Sequence, residues 1–138
     1  MYLTREICIE ALRELQDYEK EQQQLHEKWD MNFRSDTGRR NALLSRAQEK
    51  FFARAITSSG VEAVDNGKTG QPDITITSID RELECKLTSG SRGNWSLQAD
   101  YATLERKEEQ DFLYVLASED FDEFAVLHFV GLTVEDFR

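Results

Sequence analysis

Two short runs of alternating residues between Pro72 and Leu87 constrain the fold of this chain most. In residues 73–77 the isoleucines fall on one face of an extended chain, and in residues 82–87 apolar side chains again occupy every second position. Strict alternation over five or six residues is typical of a strand with one buried face. Residues 78–81 between the runs, polar except for Ile79, suit a hairpin connection. The sequence therefore predicts an antiparallel pair of strands.

This hairpin would bring charged side chains together on its polar face. With the turn at Ile79 and Asp80, antiparallel pairing places Asp73 opposite Lys86, with Glu84 one diagonal step away. Two carboxylates and one ammonium group on a rigid sheet suit a divalent metal ion and a phosphate group. The competing interpretation is an Asp73 that caps a turn, beside a surface ion pair of Glu84 and Lys86 that contributes less than ~1 kcal/mol.

Length and composition limit the classes of protein to consider. The 138 residues suffice for one domain with a proper core, and 39% are hydrophobic, which is too many for a disordered chain. No apolar run approaches the ~20 residues that span a bilayer. The N-terminus lacks a signal-peptide pattern, and two cysteines far apart in sequence suit a reducing compartment. We therefore expect a cytoplasmic protein without a membrane partner.

The net charge of −10 disfavours a nucleic-acid partner, yet the charge is unevenly distributed. Residues 28–54 carry seven basic and three acidic side chains, a local excess of four positive charges. A basic segment on an acidic body can contact phosphates, and a solvated helix face is the alternative. We expect phosphate contacts from four arginines, of which the first two are preferred: Arg39, Arg40, Arg46 and Arg92. The histidines are isolated and no glycine-rich phosphate loop is present, so no organic cofactor is expected.

Apolar periodicity and breaker residues predict the element order αα-βββ-α-ββ. The first helical segment follows Thr4 and is one long helix or two helices broken in the twenties. A second helix covers residues 41–57, a third covers about 95–107, and residues 112–117 read as a central strand covered on both sides. The fold class is α/β (α+β), with a mixed central sheet of about five strands flanked by helices. We divide the chain into an N-terminal helical arm, 1–40, which packs on the core or pairs with another subunit, and a core, 41–138.

The order and the residues together resemble the PD-(D/E)XK nuclease superfamily, which has the restriction-endonuclease-like fold. The matching motif is Pro72-Asp73, a ten-residue gap, and Glu84-Cys85-Lys86. Residues 41–117 follow the usual core of that family: a helix, a three-stranded meander, a second helix and a further strand. Glu49, eleven residues before Gly60, is similar to the first-helix glutamate of archaeal Holliday-junction resolvases. Gln98 in the third predicted helix is similar to a glutamine found in some nuclease branches.

The resemblance implies a metal-dependent DNA endonuclease of the restriction, homing or junction-resolving type. Asp73, Glu84, Glu49 and the backbone carbonyl of Cys85 would bind Mg²⁺, with Mn²⁺ able to substitute. Lys86 would orient the attacking water or stabilise the charge that develops on the phosphate. Gln98 would join the arginines named above in binding DNA.

The short chain bears on the expected oligomeric state. Little of it lies outside the core, so cleavage of two strands would need a homodimer or a higher homo-oligomer, for which the N-terminal helices are the natural pairing surface. The alternative function is a catalytically silent binding or assembly subunit with a nuclease fold. A third possibility is a helical interaction protein in which the N-terminal arm carries the function.

Overall fold

The computed structural model of the protein describes residues 1–66, 73–89 and 110–136. Two α-helices come first, α1 and α2, followed by five strands, β1 to β5. Their bounds are Arg5–Lys28 (α1), Thr37–Ser58 (α2), Ala63–Asp65 (β1), Ile74–Ile76 (β2), Arg81–Ser89 (β3), Gln110–Ala117 (β4) and Phe124–Leu132 (β5). Short 3-10 turns occupy Thr77–Ile79 and Val134–Asp136. The third predicted helix lies outside the described residues.

The five strands form one mixed open sheet in the order β1-β2-β3-β4-β5. β1, β2 and β3 make an antiparallel meander, β4 lies parallel to β3, and β5 returns antiparallel to β4. The predicted α+β class with about five strands is therefore confirmed. Neither described helix is long and apolar enough to cross a membrane.

The strand register differs from the predicted one by two residues. Ile74 pairs with Leu83 and Ile76 with Arg81, so continuing the ladder places Asp73 opposite Glu84 and not opposite Lys86. The reason is the connection: β2 stops at Ile76, the next three residues coil into a 3-10 turn, and Asp80 reverses the chain in the left-handed region with φ 52°. A shift of two residues leaves the alternation of faces unchanged, so the predicted polar face is preserved.

Helix α1 is one continuous helix, which settles the choice between one helix and two. Its N-terminus is capped by the Thr4 hydroxyl, which accepts a hydrogen bond from the Ile7 N–H at 3.3 Å. The buried residues recur every fourth position at Ile7, Ala11, Leu15 and Glu19. α1 therefore buries its first half in the same core as the rest of the chain.

Helix α2 connects α1 to the sheet. α2 packs against β1 and β3, and one hydrophobic cluster joins α1 and α2 to Ile74, Leu83 and Leu113 of the sheet. All eight residues of β4 are buried, as predicted for a central strand. On the face of β4 away from this cluster, Phe112 and Tyr114 pack with residues of β5. Burial of each large apolar side chain contributes about 1.5–3 kcal/mol.

A buried ion pair fixes α1 to the start of α2. Glu19 is fully buried, and its carboxylate accepts two hydrogen bonds from Arg34, each 2.9 Å long. The Arg40 guanidinium, only 1% exposed, lies 3.2 Å from the same carboxylate and also donates to Ser89 Oγ and to the Glu119 carbonyl. Because a buried charge needs a partner, each of these groups depends on the others.

Replacing Glu19 with Ala should destabilise the protein by about 3–5 kcal/mol, since it leaves the buried Arg40 cation without its carboxylate. Lys20→Ala is the matched control, because Lys20 forms only an exposed ion pair with Asp122 and should cost less than ~1 kcal/mol. Urea denaturation followed by circular dichroism measures both. Equal effects of the two substitutions would contradict a structural role for the buried pair.

Candidate active site

Asp73 lies where strands β2 and β3 separate. Pairing between these strands reaches only to Ile74 and Leu83, so the next inward-facing N–H of β3, that of Cys85, has no strand partner there. The Asp73 carboxylate accepts this N–H at 2.8 Å, and the Asp73 carbonyl accepts the N–H of Asn66 at 3.1 Å. Asp73 is thus held from both sides, with its second carboxylate oxygen left for other contacts.

Glu84 follows Leu83 on β3 and shares a hydrogen bond with Asp73. This contact raises the pKa of Glu84 and lowers that of Asp73. Burial, and then repulsion by Asp73, raises the pKa of Glu84 to about 7. Burial also raises the pKa of Asp73, against the lowering effect of the Cys85 N–H. Both acids therefore lie where burial disfavours their charged forms.

Glu49 approaches this pair from helix α2. Its side chain is only 14% exposed, and its carboxylate lies 3.3 Å from Arg46. Burial, and then the Asp73 charge, raises the pKa of Glu49 to about 7, with smaller contributions from Asp65 and Glu84. Asp73 therefore interacts with acids from two elements. It contacts Glu84 of β3, and its charge has the largest electrostatic effect on the pKa of Glu49 of α2.

Lys86 and Cys85 complete the motif. Lys86 is half-buried on the same face of β3 as Glu84, and its positive charge lowers the pKa values of both Glu84 and Asp73. Cys85 points into the core beside the helices, where burial raises the pKa of its thiol well above the usual range. Its sulfur acts as a small hydrophobic group, and the proposed role of its carbonyl as a metal ligand stays a prediction.

Sequence reasoning missed Asp65, the last residue of β1. Arg46 Nη1 lies 2.9 Å from Asp65 Oδ2 and 3.3 Å from Glu49 Oε1, so one guanidinium joins the two acids. Asp65 pairs with Ile74 in the sheet, one residue from Asp73. The available signal was an acid at the end of a predicted strand, just before the loop that leads to Pro72.

The predicted DNA-binding residues separate into three groups. Arg39 is 87% exposed and Arg46 is exposed beside the site, so both can contact a ligand. Arg40 is buried and bound to Glu19, and this corrects its assignment as a phosphate contact: its guanidinium has no access to solvent. Arg92 and Gln98 lie outside the described residues.

A second polar cluster ties the N-terminus to the sheet and was not anticipated. Asp111 on β4 is 2% exposed and accepts hydrogen bonds from Tyr2 Oη, the Gly131 N–H and the Arg81 guanidinium. His128 Nε2 lies 3.2 Å from Tyr2 Oη, and burial lowers its pKa. Every charged group here is paired, so this cluster is structural and His128 is a satisfied histidine.

The donor set fits a metal ion that keeps most of its water ligands. Within residues 1–66, 73–89 and 110–136, no group of three or more His, Cys, Asp or Glu is arranged as a ready-made cage. Mg²⁺ is commonly bound by one or two carboxylates and waters, and carboxylate oxygens are its preferred ligands. Asp73 and Glu84 supply two adjacent carboxylates, and a cation there would offset the burial that raises both pKa values and the Asp73 charge that further raises the pKa of Glu84. The site therefore suits Mg²⁺ held by two carboxylates, with Glu49 nearby.

Comparison with known proteins adds no relative. No protein-family model, curated protein or solved structure matches this chain.

The raised pKa of Glu84 predicts how stability depends on pH without divalent metal. A carboxyl whose folded pKa, about 7, exceeds its usual 4.5 favours folding when protonated, so its contribution is lost as pH rises from about 4.5 to 7. Glu84→Gln keeps a donor for Asp73 but cannot ionise. We expect it to be more stable than the wild type at pH 8 by about 1–2 kcal/mol, after allowance for solvent screening, and equally stable near pH 4.5.

Urea denaturation in EDTA at the two pH values measures this difference. Glu10→Gln is the control, since it removes one carboxylate from the exposed face of α1 and leaves the site intact. A stability gain at pH 8 that is the same for both variants would show that only the net charge matters.

Proposed function

We propose that this protein is a Mg²⁺-dependent endonuclease that hydrolyses DNA phosphodiester bonds, similar to PD-(D/E)XK nucleases. The observation that carries the proposal is the pair of half-buried acids Asp73 and Glu84, which lies beside Lys86 at the point where β2 and β3 separate and where the Cys85 N–H holds the Asp73 carboxylate. Acids this strongly perturbed by burial and by one another are more common at functional sites than in structural ion pairs.

The order of the described elements supports the proposal. A helix, an antiparallel three-stranded meander and a later strand parallel to the third strand correspond to α2, β1–β3 and β4. The plan of the nuclease core places its acids at the start of the second strand and in the third strand. Asp73 immediately precedes β2 and Glu84 lies in β3, which supports the proposal.

Each residue has a role that its position allows. Asp73 and Glu84 would hold Mg²⁺, which lowers the pKa of a bound water and polarises a phosphoryl oxygen when present. The bond from the Cys85 N–H fixes the direction of the Asp73 carboxylate. Lys86, on the same face as Glu84, would stabilise the extra negative charge of the transition state as a point charge. Glu49 would hold a water of the metal's hydration shell or a second ion.

Cleavage of supercoiled plasmid and of a four-way DNA junction tests this proposal. We expect cutting with Mg²⁺ or Mn²⁺, none with EDTA, and a loss of about 100-fold or more in rate for Lys86→Ala, the size typical of removing one transition-state contact. Lys20→Ala, which removes an exposed lysine of α1, should cut at the wild-type rate. Cutting that survives EDTA or Lys86→Ala would disprove the mechanism.

A second candidate function is favoured by an exposed apolar patch at the end of α1. Leu25, Trp29 and Met31 lie within seven residues, and Trp29 is 65% exposed. Clustered exposed apolar side chains mark interaction surfaces. The first half of α1 is buried in the core, so this patch is the part of the N-terminal segment that remains available to pair with a second copy. Such pairing would suit either a dimeric nuclease or a catalytically silent assembly subunit.

Trp29→Glu should therefore shift the protein towards the monomer in sedimentation velocity, since it places a charge in a self-association surface. Ile79→Glu is the control: Ile79 is 50% exposed at the turn before β3, far along the chain from the patch. A wild type that is monomeric at all concentrations would remove pairing from the proposal. DNA binding without cleavage in a dimeric wild type would favour the assembly subunit.

A further inference from the structure

The exposed face of helix α2 carries a positive charge that contrasts with the rest of the chain. Among its 22 residues, α2 has five basic residues and a single acid, Glu49, whereas the whole chain has a net charge of −10. Arg40 is buried against Glu19, and the other four basic residues are exposed. We call these four the basic stripe: Arg39, Arg46, Lys50 and Arg54.

The four residues form a continuous line along the helix. Their positions differ by seven, four and four residues, so at about 100° per residue they lie within about 80° of one another around the axis. The large buried residues of α2, such as Leu44 and Phe52, lie on the opposite side, and the small buried residues Ala47 and Ala53 flank the stripe. At 1.5 Å per residue the stripe is about 22 Å long, which is the length of several successive phosphates on one DNA strand.

The ion pairs of the stripe leave it able to bind an anion. Arg39 lies 3.6 Å from Asp36 in an exposed pair, and Arg54 lies 3.2 Å from Glu14 in a pair whose arginine is exposed and whose carboxylate is partly buried. Exposed pairs contribute less than ~1 kcal/mol, so a phosphate can replace the carboxylate at little cost. Lys50 forms no ion pair within the described part of the chain.

The stripe adjoins the candidate active site. Arg46 contacts both Glu49 and Asp65, so the middle of the stripe lies beside the acids that surround Asp73. On its other side is α1, which carries seven acids and four basic residues, histidine aside, and would repel a polyanion. A polyanion that approaches the site from the helices is therefore directed along α2.

We propose that the basic stripe binds the sugar-phosphate backbone of double-stranded DNA and directs it to the site. The inference deepens the proposed function and rests on it only for the last step. The stripe has no exposed aromatic side chain: Phe51, which α2 also carries, is half-buried against Tyr18. Single-strand binders stack bases on aromatic rings, whereas duplex is bound without sequence preference through its phosphates, and this favours duplex.

Salt dependence of binding tests the stripe directly. A fluorescein-labelled 20-base-pair duplex is titrated by anisotropy in EDTA at 20–200 mM NaCl, with the wild type and with Arg39→Gln/Lys50→Gln. Each lost phosphate contact lowers the slope of log K against log[salt] by about 0.9, so we expect a slope smaller by about 1.8 and affinity at 50 mM salt weaker by about 10–100-fold.

The control is Arg13→Gln/Lys20→Gln, which removes two exposed basic residues of α1 and changes the net charge equally. We expect the wild-type slope for this variant. Equal losses for both double variants would overturn the proposal, because they would show an effect of net charge alone. Tighter binding to the single strand of the same length would overturn it too.

The two proposals can fail separately, because binding is measured without metal and without cleavage. Stripe-dependent binding with no cleavage in Mg²⁺ would reject the nuclease and keep the DNA-binding surface. Cleavage with wild-type salt dependence in Arg39→Gln/Lys50→Gln would reject the stripe and keep the nuclease.

Discussion

The hydrogen bond between the Cys85 N–H and the Asp73 carboxylate is the interaction on which the candidate site depends. It takes over from the β2–β3 ladder where the two strands separate, so the backbone of β3 stays satisfied while β2 diverges. It also holds Asp73 opposite Glu84, where the charge of Asp73 adds to the effect of burial and raises the pKa of Glu84. This one bond satisfies the backbone of β3 and also holds two acidic side chains next to each other. A structural role and a functional role for Asp73 therefore do not exclude each other.

The acids of the candidate site and the neighbouring Gln48 lower the stability of the fold. The pKa values of Asp73, Glu84 and Glu49 are all raised, which means that ionising them opposes folding. Gln48, the helical neighbour of Glu49, is fully buried and its amide has no hydrogen-bond partner in the described part of the chain. Leaving such a group unpaired costs about 1–3 kcal/mol. Good packing alone gives no reason to place three partly buried acids close together. A cation bound between them would reduce their mutual repulsion.

The alternation of residues predicted which side chains of the hairpin share a face, because the side-chain period of a strand does not depend on its partner. It could not give the register, which depends on a 3-10 turn and on the left-handed Asp80, and neither has a sequence signal as regular as the strand pattern. The burial of Arg40 was also beyond local reasoning. Its partner, Glu19, lies in another helix, and an arginine beside another arginine is expected at the surface. The position of Glu49 near Asp73 was implied by family resemblance rather than by periodicity.

Helix α2 combines a side that stabilises the fold with a side that we propose for recognition. Its buried side carries Arg40 and the apolar residues that pack on the sheet, and its exposed side carries the basic stripe. Glu49 lies between the two sides, where partial burial raises its pKa and where Arg46 can reach it. Because the helix is anchored at its first turn by the Glu19–Arg40 pair and along its length by the core, its exposed charges are held at fixed spacing. A rigid row of charges loses less entropy on binding a polymer of regularly spaced phosphates than flexible loops would, and the acidic body around it limits other modes of approach.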